Sequence, residues 1–258
     1  MPLISIIIPC YNQGRYLAES IGSVLASDFT ELEIIVVDDG STEPETRRIL
    51  DMLEYPKTRL IRRANGGLAA ARNSGIAEAQ GRYILPLDAD DRIGPEYLGQ
   101  AVAALEADPQ LGVVYCRAER FGAESGPWRL APASRVRMML GNVIFCAALY
   151  RRDDWQMVGG YDELLRRGWE DWDFWLSLLE LGRTVCCLPL VGFFYRKHPA
   201  SMAAGMAASL KAQLHCRLMA KHPRFFGGWS AWLLPLLPLY YRLAGGELYR
   251  GIKKGLGR

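Results

Sequence analysis

The chain has 258 residues, half of them apolar and 23% charged, with a net charge of +3. That balance describes an ordinary globular protein with a sizeable core, and it is too weakly basic to argue for nucleic acid. The six cysteines (Cys10, Cys116, Cys146, Cys186, Cys187 and Cys216) form no CxxC pair and no zinc spacing, so reduced thiols in a cytoplasmic protein are expected.

The opening "MPLISIIIPCYN" lacks a basic lead and is broken by Pro9, so no cleavable signal is expected. Within it, Leu3–Pro9 is a short β-branched run that reads as a buried strand. Tyr16–Ala26 has helical spacing. Leu32–Asp39 is a second buried strand, after which Thr42 and Glu45 form a capping box for a helix towards Leu53. Thr58–Arg63 reads as a third strand and Gly66–Ala79 as an Ala-rich helix. Arg82–Asp88 is a fourth strand, Pro95–Ala107 a helix with Pro at its start, and Leu111–Cys116 a fifth strand. This alternation predicts an α/β fold, with a mostly parallel sheet and helices on both faces.

After Cys116 the pattern loosens. Phe121–Arg135 is rich in Gly, Pro and Ser and reads as loop. Asn142–Arg152 reads as a strand. Trp169–Leu181 reads as an amphipathic helix with Trp172, Trp175, Leu176 and Leu179 on one face, and Thr184–Pro189 and Val191–His198 as two more strands. The apolar stretch Trp229–Tyr241 is too short to span a bilayer and contains Pro235 and Pro238. Five basic residues and one acid follow between Arg242 and Arg258, leaving the other 241 residues near −1. Trp, Tyr and Leu followed by Arg and Lys suit an interfacial membrane anchor, with a packed C-terminal helix or a homodimer contact as the alternatives.

In parallel sheets ligands bind beyond the carboxyl ends of the strands, where this chain gathers its polar residues. Tyr11 and Asn12 follow the first strand, and Asp38 and Asp39 the second. Asp88, Asp90 and Asp91 follow the fourth. Asp88 and Asp90 flank one small residue, a spacing of hard oxygen ligands that suits Mg2+ or Mn2+ with substrate phosphates. Gly66 and Gly67 permit close backbone approach, and Arg72 lies one turn into the following helix as a partner for phosphate or carboxylate. Glu170 and Asp171 open a helix, where the dipole favours acids, and either can act as a general base. His198 is a candidate metal or phosphate ligand.

Four segments in this order, "SIIIPCYNQGRYLAESIGSVL", "EIIVVDDGSTEPET", "NGGLAAARNSGIAEAQGRYILPLDADD" and "GGYDELLRRGWEDWDFWLSLLELG", closely resemble family 2 glycosyltransferases of the GT-A fold. The resemblance runs from about Leu3 to Ser201. It implies a catalytic domain over 1–203, split into a nucleotide-sugar half (1–116) and an acceptor half (117–203), with a helical extension over 204–258. It implies that Pro9, Tyr11, Asn12, Asp38, Asp39, Arg72 and Asp88 bind the nucleotide. Asp90, with Asp88 and His198, would hold Mn2+ or Mg2+, Asp91 would support sugar or metal, and Arg196 would close over the diphosphate. Asp171 would be the base, with Glu170 orienting the acceptor. The donor would be a nucleotide diphospho-sugar, UDP first, and the acceptor a glycan or lipid-linked glycan, with inversion at the anomeric carbon. Ser177 stands in a region where the family often has a basic residue. No QxxRW string or set of processive-synthase helices is present, which argues for single-sugar transfer. A GxGxxG after the first strand is absent, which argues against a dehydrogenase. The competing reading is a non-catalytic nucleotide-sugar-binding or scaffold protein of the same fold.

Overall fold

The computed structural model describes residues 2–198, 206–228, 236–237 and 239–240. Strand β1 (Ile4–Cys10) is buried at every position, so the sheet is covered on both faces there. It pairs in parallel with β2 (Leu32–Asp38), which pairs in parallel with β3 (Thr58–Arg62). On its other side β1 takes β4 (Tyr83–Pro86), also parallel. The order β3-β2-β1-β4 reverses direction between β1 and β4, and that reversal leaves a crevice beyond their carboxyl ends. The loops Tyr11–Gln13 and Leu87–Asp91 both issue from it.

The second half of the sheet is mixed. Strand β8 (Leu149–Arg151) pairs antiparallel with β4 and with β6 (Leu111–Gly122), and β6 pairs in parallel with β9 (Thr184–Lys197). Two short strands, β5 (Arg92–Ile93) and β7 (Gly126–Trp128), lie antiparallel to β9 and β6. The helices are α1 (Gly14–Leu25), α2 (Pro44–Asp51), α3 (Leu68–Ala77), α4 (Tyr97–Ala107), α5 (Arg135–Leu140), α6 (Arg152–Val158), α7 (Glu170–Glu180), α8 (Ala208–Lys221) and α9 (Pro223–Phe226). The α/β class expected from the sequence is therefore observed, with parallel pairing through β1–β4 and antiparallel strands added in the second half.

Small residues bring α3 against the sheet. A Cβ on Gly75 would lie 2.6 Å from Ile7 Cγ2 and 2.9 Å from Val37 Cγ2, so only glycine allows this approach. Ala69, Ala70 and Ala71 are buried on the same helix, and the tight seat holds Arg72 over the end of the sheet.

Several boundaries differ from the sequence reading. Helix α2 starts at Pro44, not from a Thr42–Glu45 capping box. Asn12 Oδ1 accepts the N–H groups of Thr42 (2.8 Å) and Glu43 (2.9 Å), the two residues ahead of the helix, so a side chain from the β1 loop fixes the chain that leads into α2. The expected strand Asn142–Arg152 is reduced to β8, because residues 142–146 line the cleft described below. The two strands expected over Thr184–His198 are one, with Pro189 passing through irregular register between β6 and β9. The stretch Phe121–Arg135, read as loop, contains β7, and α6 was not anticipated. Helix α7 is not amphipathic with one apolar face: Trp172, Asp173, Phe174, Trp175, Leu176 and Leu178 are all buried, so it runs through the core.

Helices α8 and α9 dock on α7. Asp173, 1% exposed, receives Lys221 Nζ at 2.7 Å and His222 Nε2 at 2.9 Å, and His222 Nδ1 lies 3.2 Å from Glu180. Arg135 donates to the carbonyls of Arg224 and Phe225. Most of Trp229–Tyr241, and all of the basic tail, lies outside the described residues. Leu237 is buried, and Tyr240 Oη donates to Leu140 O at 3.0 Å. Among the described residues no helix is long and apolar enough to cross a membrane.

Candidate active site

A cleft of about 520 Å³ opens where α3, the β4 loop, α7, β6, β7 and β9 converge. One wall carries Arg72, Asp88, Glu170 and Asp171. The facing wall carries Trp128, Phe145, Phe193 and Tyr195, with Arg120 and Lys197 at their edge.

Arg72 organises the acidic wall. Its guanidinium is 1% exposed and donates from Nη1 to Glu170 Oε1 at 2.7 Å and from Nη2 to Asp88 Oδ1 at 2.8 Å. Burial opposes the charge, but Asp88 and Glu170 outweigh it and keep Arg72 well above its ordinary range. One planar fork thus ties α3 to the end of β4 and to the start of α7.

Asp171 is partly open to the cleft. Asn142 Nδ2 donates to its Oδ2 at 2.9 Å and the Trp172 amide to its Oδ1 at 2.7 Å. Desolvation, followed by the adjacent Glu170 charge, pushes its carboxyl up to about 7. The left-handed Trp169 (φ 74°) precedes the helix and aims Glu170 and Asp171 inward from its first turn.

The β4 loop holds three acids in different settings. Asp88 Oδ2 accepts only the weak thiol donor of Cys146, at 3.5 Å. Asp90 Oδ2 lies 2.7 Å from His198 Nε2, and desolvation followed by the Asp88 charge raises its carboxyl. Asp91 is 1% exposed and accepts the Arg196 amide at 2.8 Å, while its Oδ2 is buried without a hydrogen-bond partner among the described residues. Desolvation and the charges of Asp88 and Asp90 push Asp91 well above the carboxylate range. Carboxylate oxygens of Asp88 and Asp91 and the Cys146 sulfur lie within 4.8 Å of one another. Of the candidates expected from the sequence, Asp88 and Asp91 belong to this cluster, while Asp90 pairs with His198 beside it. Two hard carboxylates, one with an orphaned oxygen, fit a divalent cation such as Mn2+ or Mg2+. The thiol is a softer ligand and adds little for Mg2+.

The remaining candidates form the β1–β2 edge. Asp39 accepts the amides of Gly66 (2.9 Å) and Gly67 (2.8 Å), and Arg63 Nη1 lies 3.5 Å from it. Asp38 Oδ1 accepts the Ser41 amide at 2.8 Å. The Asn12 side chain is engaged by the α2 start, Pro9 is buried within β1, and Tyr11 is 46% exposed beside them. Arg196 donates to Asp90 O at 2.8 Å, pairs with Glu19 and lies over the Tyr16 and Phe121 rings.

Strand alternation on β9 sorts its side chains by site. Phe193, Tyr195 and Lys197 line the cleft, while Phe194 contacts Arg92 and Arg196 reaches the acid loop. Sequence reasoning missed Asn142, Cys146 and the aromatic wall. Asn142 and Cys146 sit in a segment whose apolar run read as a strand, and the wall assembles from two separate strands and a loop.

A family model described as "Glycosyl transferase family 2" matches residues 5–163. The chain is 29% identical over 188 residues to chondroitin synthase of Escherichia coli, covering 70% of this chain and 27% of that protein. It is 31% identical over 223 residues to an uncharacterized glycosyltransferase of Nostoc sp., covering 80% of this chain and 69% of that one. It therefore spans only about a quarter of the length of the Escherichia coli protein. Among solved structures, S. aureus TarS 1-349 in complex with UDP-GlcNAc superposes with a TM-score of 0.71 at 21% identity, over 88% of this chain and 67% of that one. The mannosyltransferase PcManGT of Pyrobaculum calidifontis, in complex with GDP-Man and Mn2+, gives 0.66 at 20% identity, over 99% of this chain and 79% of that one.

Proposed function

The chain belongs to glycosyl transferase family 2, and from that premise we propose that it moves a sugar from a nucleotide diphospho-sugar, UDP first, to an acceptor hydroxyl. The proposal extends to inversion, metal dependence and transfer of one sugar at a time in bacterial-type cell-surface glycan assembly. The observation that carries it is Asp171, a carboxylate raised to about 7 in a cleft that Asp88 of the Asp88–Asp91 cluster also lines. A base near neutrality takes a proton most effectively at working pH. The fold shared with proteins crystallised with UDP-GlcNAc and with GDP-Man and Mn2+ supports a nucleotide-sugar donor.

In this reading Asp171 removes the acceptor hydroxyl proton as the oxygen attacks the anomeric carbon on the face opposite the diphosphate. The C–O bond to phosphate breaks, the electron pair leaves with the nucleotide diphosphate, and the new glycosidic bond forms with inversion. Asn142 holds the Asp171 carboxylate in place, and Glu170 orients the acceptor from its pairing with Arg72. Arg196 and His198 approach the diphosphate, and Pro9, Tyr11, Asn12, Asp38 and Asp39 form the nucleotide edge. Mn2+ or Mg2+ held by Asp88 and Asp91, with Asp90 and His198 beside them, would neutralise charge on the departing diphosphate. The basic tail after Tyr241 supports peripheral contact with the cytoplasmic face of the membrane and a lipid-linked acceptor. Deleting residues 228–258 and following vesicle flotation tests that part; equal recovery of both forms in solution refutes it.

The test of function is a panel of sugar nucleotides with Mn2+ or Mg2+, read by release of nucleoside diphosphate. Asp171→Asn is expected to retain nucleotide binding and lose transfer. Failure of every sugar nucleotide to bind overturns the donor assignment, and wild-type turnover by Asp171→Asn overturns the base.

A further inference from the structure

We propose that the aromatic wall of the cleft is an acceptor subsite for an acidic sugar, with Lys197 meeting its carboxylate. The proposal rests on the glycosyltransferase reading above and adds the acceptor's chemical class. Trp128 and Tyr195 are partly exposed with ring centroids 4.8 Å apart, and behind them Phe145 and Phe193 stack at 4.3 Å. The buried pair braces the exposed pair, so the shelf is preformed. The C–H face of a pyranose carries slight positive charge and suits the negative face of such rings. The shelf lies in the same cleft as Asp171, so a sugar resting on it has the base within the same cavity.

The charges of the cleft select the sugar. Arg72 is consumed by Asp88 and Glu170. Arg120 Nη1 pairs with Glu124 at 3.0 Å. Lys197 has no carboxylate partner among the described residues, and its Nζ lies 6.0 Å from the Tyr195 ring centroid. One uncommitted ammonium beside an aromatic shelf matches a single negative charge. A phosphomonoester would bring nearly two negative charges towards a cleft that already holds Asp88, Glu170 and Asp171. A uronate carboxylate brings one, on the ring that stacks.

The full-length protein is titrated with methyl β-glucuronide, methyl β-glucoside and glucose 6-phosphate, each followed by saturation-transfer NMR and Trp fluorescence. UDP binding is measured in parallel. The glucuronide is expected to bind about fivefold tighter than the glucoside. Lys197→Gln should erase that preference without changing glucoside or UDP binding, and Lys197→Arg should restore it. Equal binding of glucuronide and glucoside, preference for glucose 6-phosphate, or no binding of any of the three overturns the subsite. If UDP binds in any of those cases, the donor assignment stands. If UDP itself fails to bind, it is the glycosyltransferase reading that falls.

Discussion

Replacing Asp171 with Asn is expected to stabilise the protein at neutral and alkaline pH while removing transfer. The Asp171 carboxyl titrates near 7 in the folded chain against an ordinary 3.8. The folded state therefore holds this proton more tightly than the unfolded chain, and stability falls as pH rises from about 4 to about 7. A displacement of roughly three pH units corresponds to about 4 kcal/mol at full effect. Solvent at the partly open carboxylate reduces that figure. The amide side chain cannot accept from both Asn142 and the Trp172 amide, which costs about 1 kcal/mol. The net expectation is a variant about 1 kcal/mol less stable than wild type near pH 4 and about 2 kcal/mol more stable at pH 8. Urea unfolding across that range measures it, provided the denaturant slope is unchanged. A stability difference that does not change between pH 4 and 8, or a variant less stable at pH 8, refutes the raised carboxyl.

The same titration predicts that kcat/KM for sugar transfer climbs with unit slope to a plateau above about pH 7, because the base must be ionised; a flat profile from pH 5 to 8 would count against it. Arg72→Met leaves Glu170, 6% exposed, and Asp88, 27% exposed, without their counter-ion, and should cost about 3 kcal/mol by chemical denaturation. A loss under about 1 kcal/mol would show that the fork does not hold the three elements together. Gly75→Val pushes α3 off Ile7 and Val37 and should lower the Tm by several degrees while weakening UDP binding. Asn12→Ala should cost about 1–2 kcal/mol through the two lost hydrogen bonds to the chain leading into α2, visible as a lower urea midpoint.

The first half of the fold was legible because it is made of local signals. Strands β1 and β2 are β-branched runs, each acid or Asn at a strand end has a fixed neighbour in sequence, and parallel pairing then brings those ends together. The acid loop, Arg72, Glu170 and Asp171 were readable as types for the same reason, although not as a hydrogen-bonded set. The second half was harder because its order is non-local. The 142–146 segment is apolar enough for a strand but lines a cleft, and the shelf of Trp128, Phe145, Phe193 and Tyr195 exists only after β6, β7 and β9 pair. Asp91 was legible as a charge but not as the member with an orphaned oxygen, since burial decides that.

Strand β9 places the proposed donor-side and acceptor-side contacts on alternate residues of one continuous backbone. A point substitution at Lys197 alters one set and leaves Arg196 in place, so acceptor preference can drift through single exchanges without touching the loop of acids. A one-residue insertion or deletion between Phe193 and His198 would exchange the two faces at every later position, turning Arg196 onto the shelf and Lys197 towards Asp90 and Asp91. The strand is thus open to change by substitution and closed to change in length. A redesign of acceptor choice should vary Trp128, Tyr195 and Lys197 at constant spacing and place any insertion in the loop between β7 and α5.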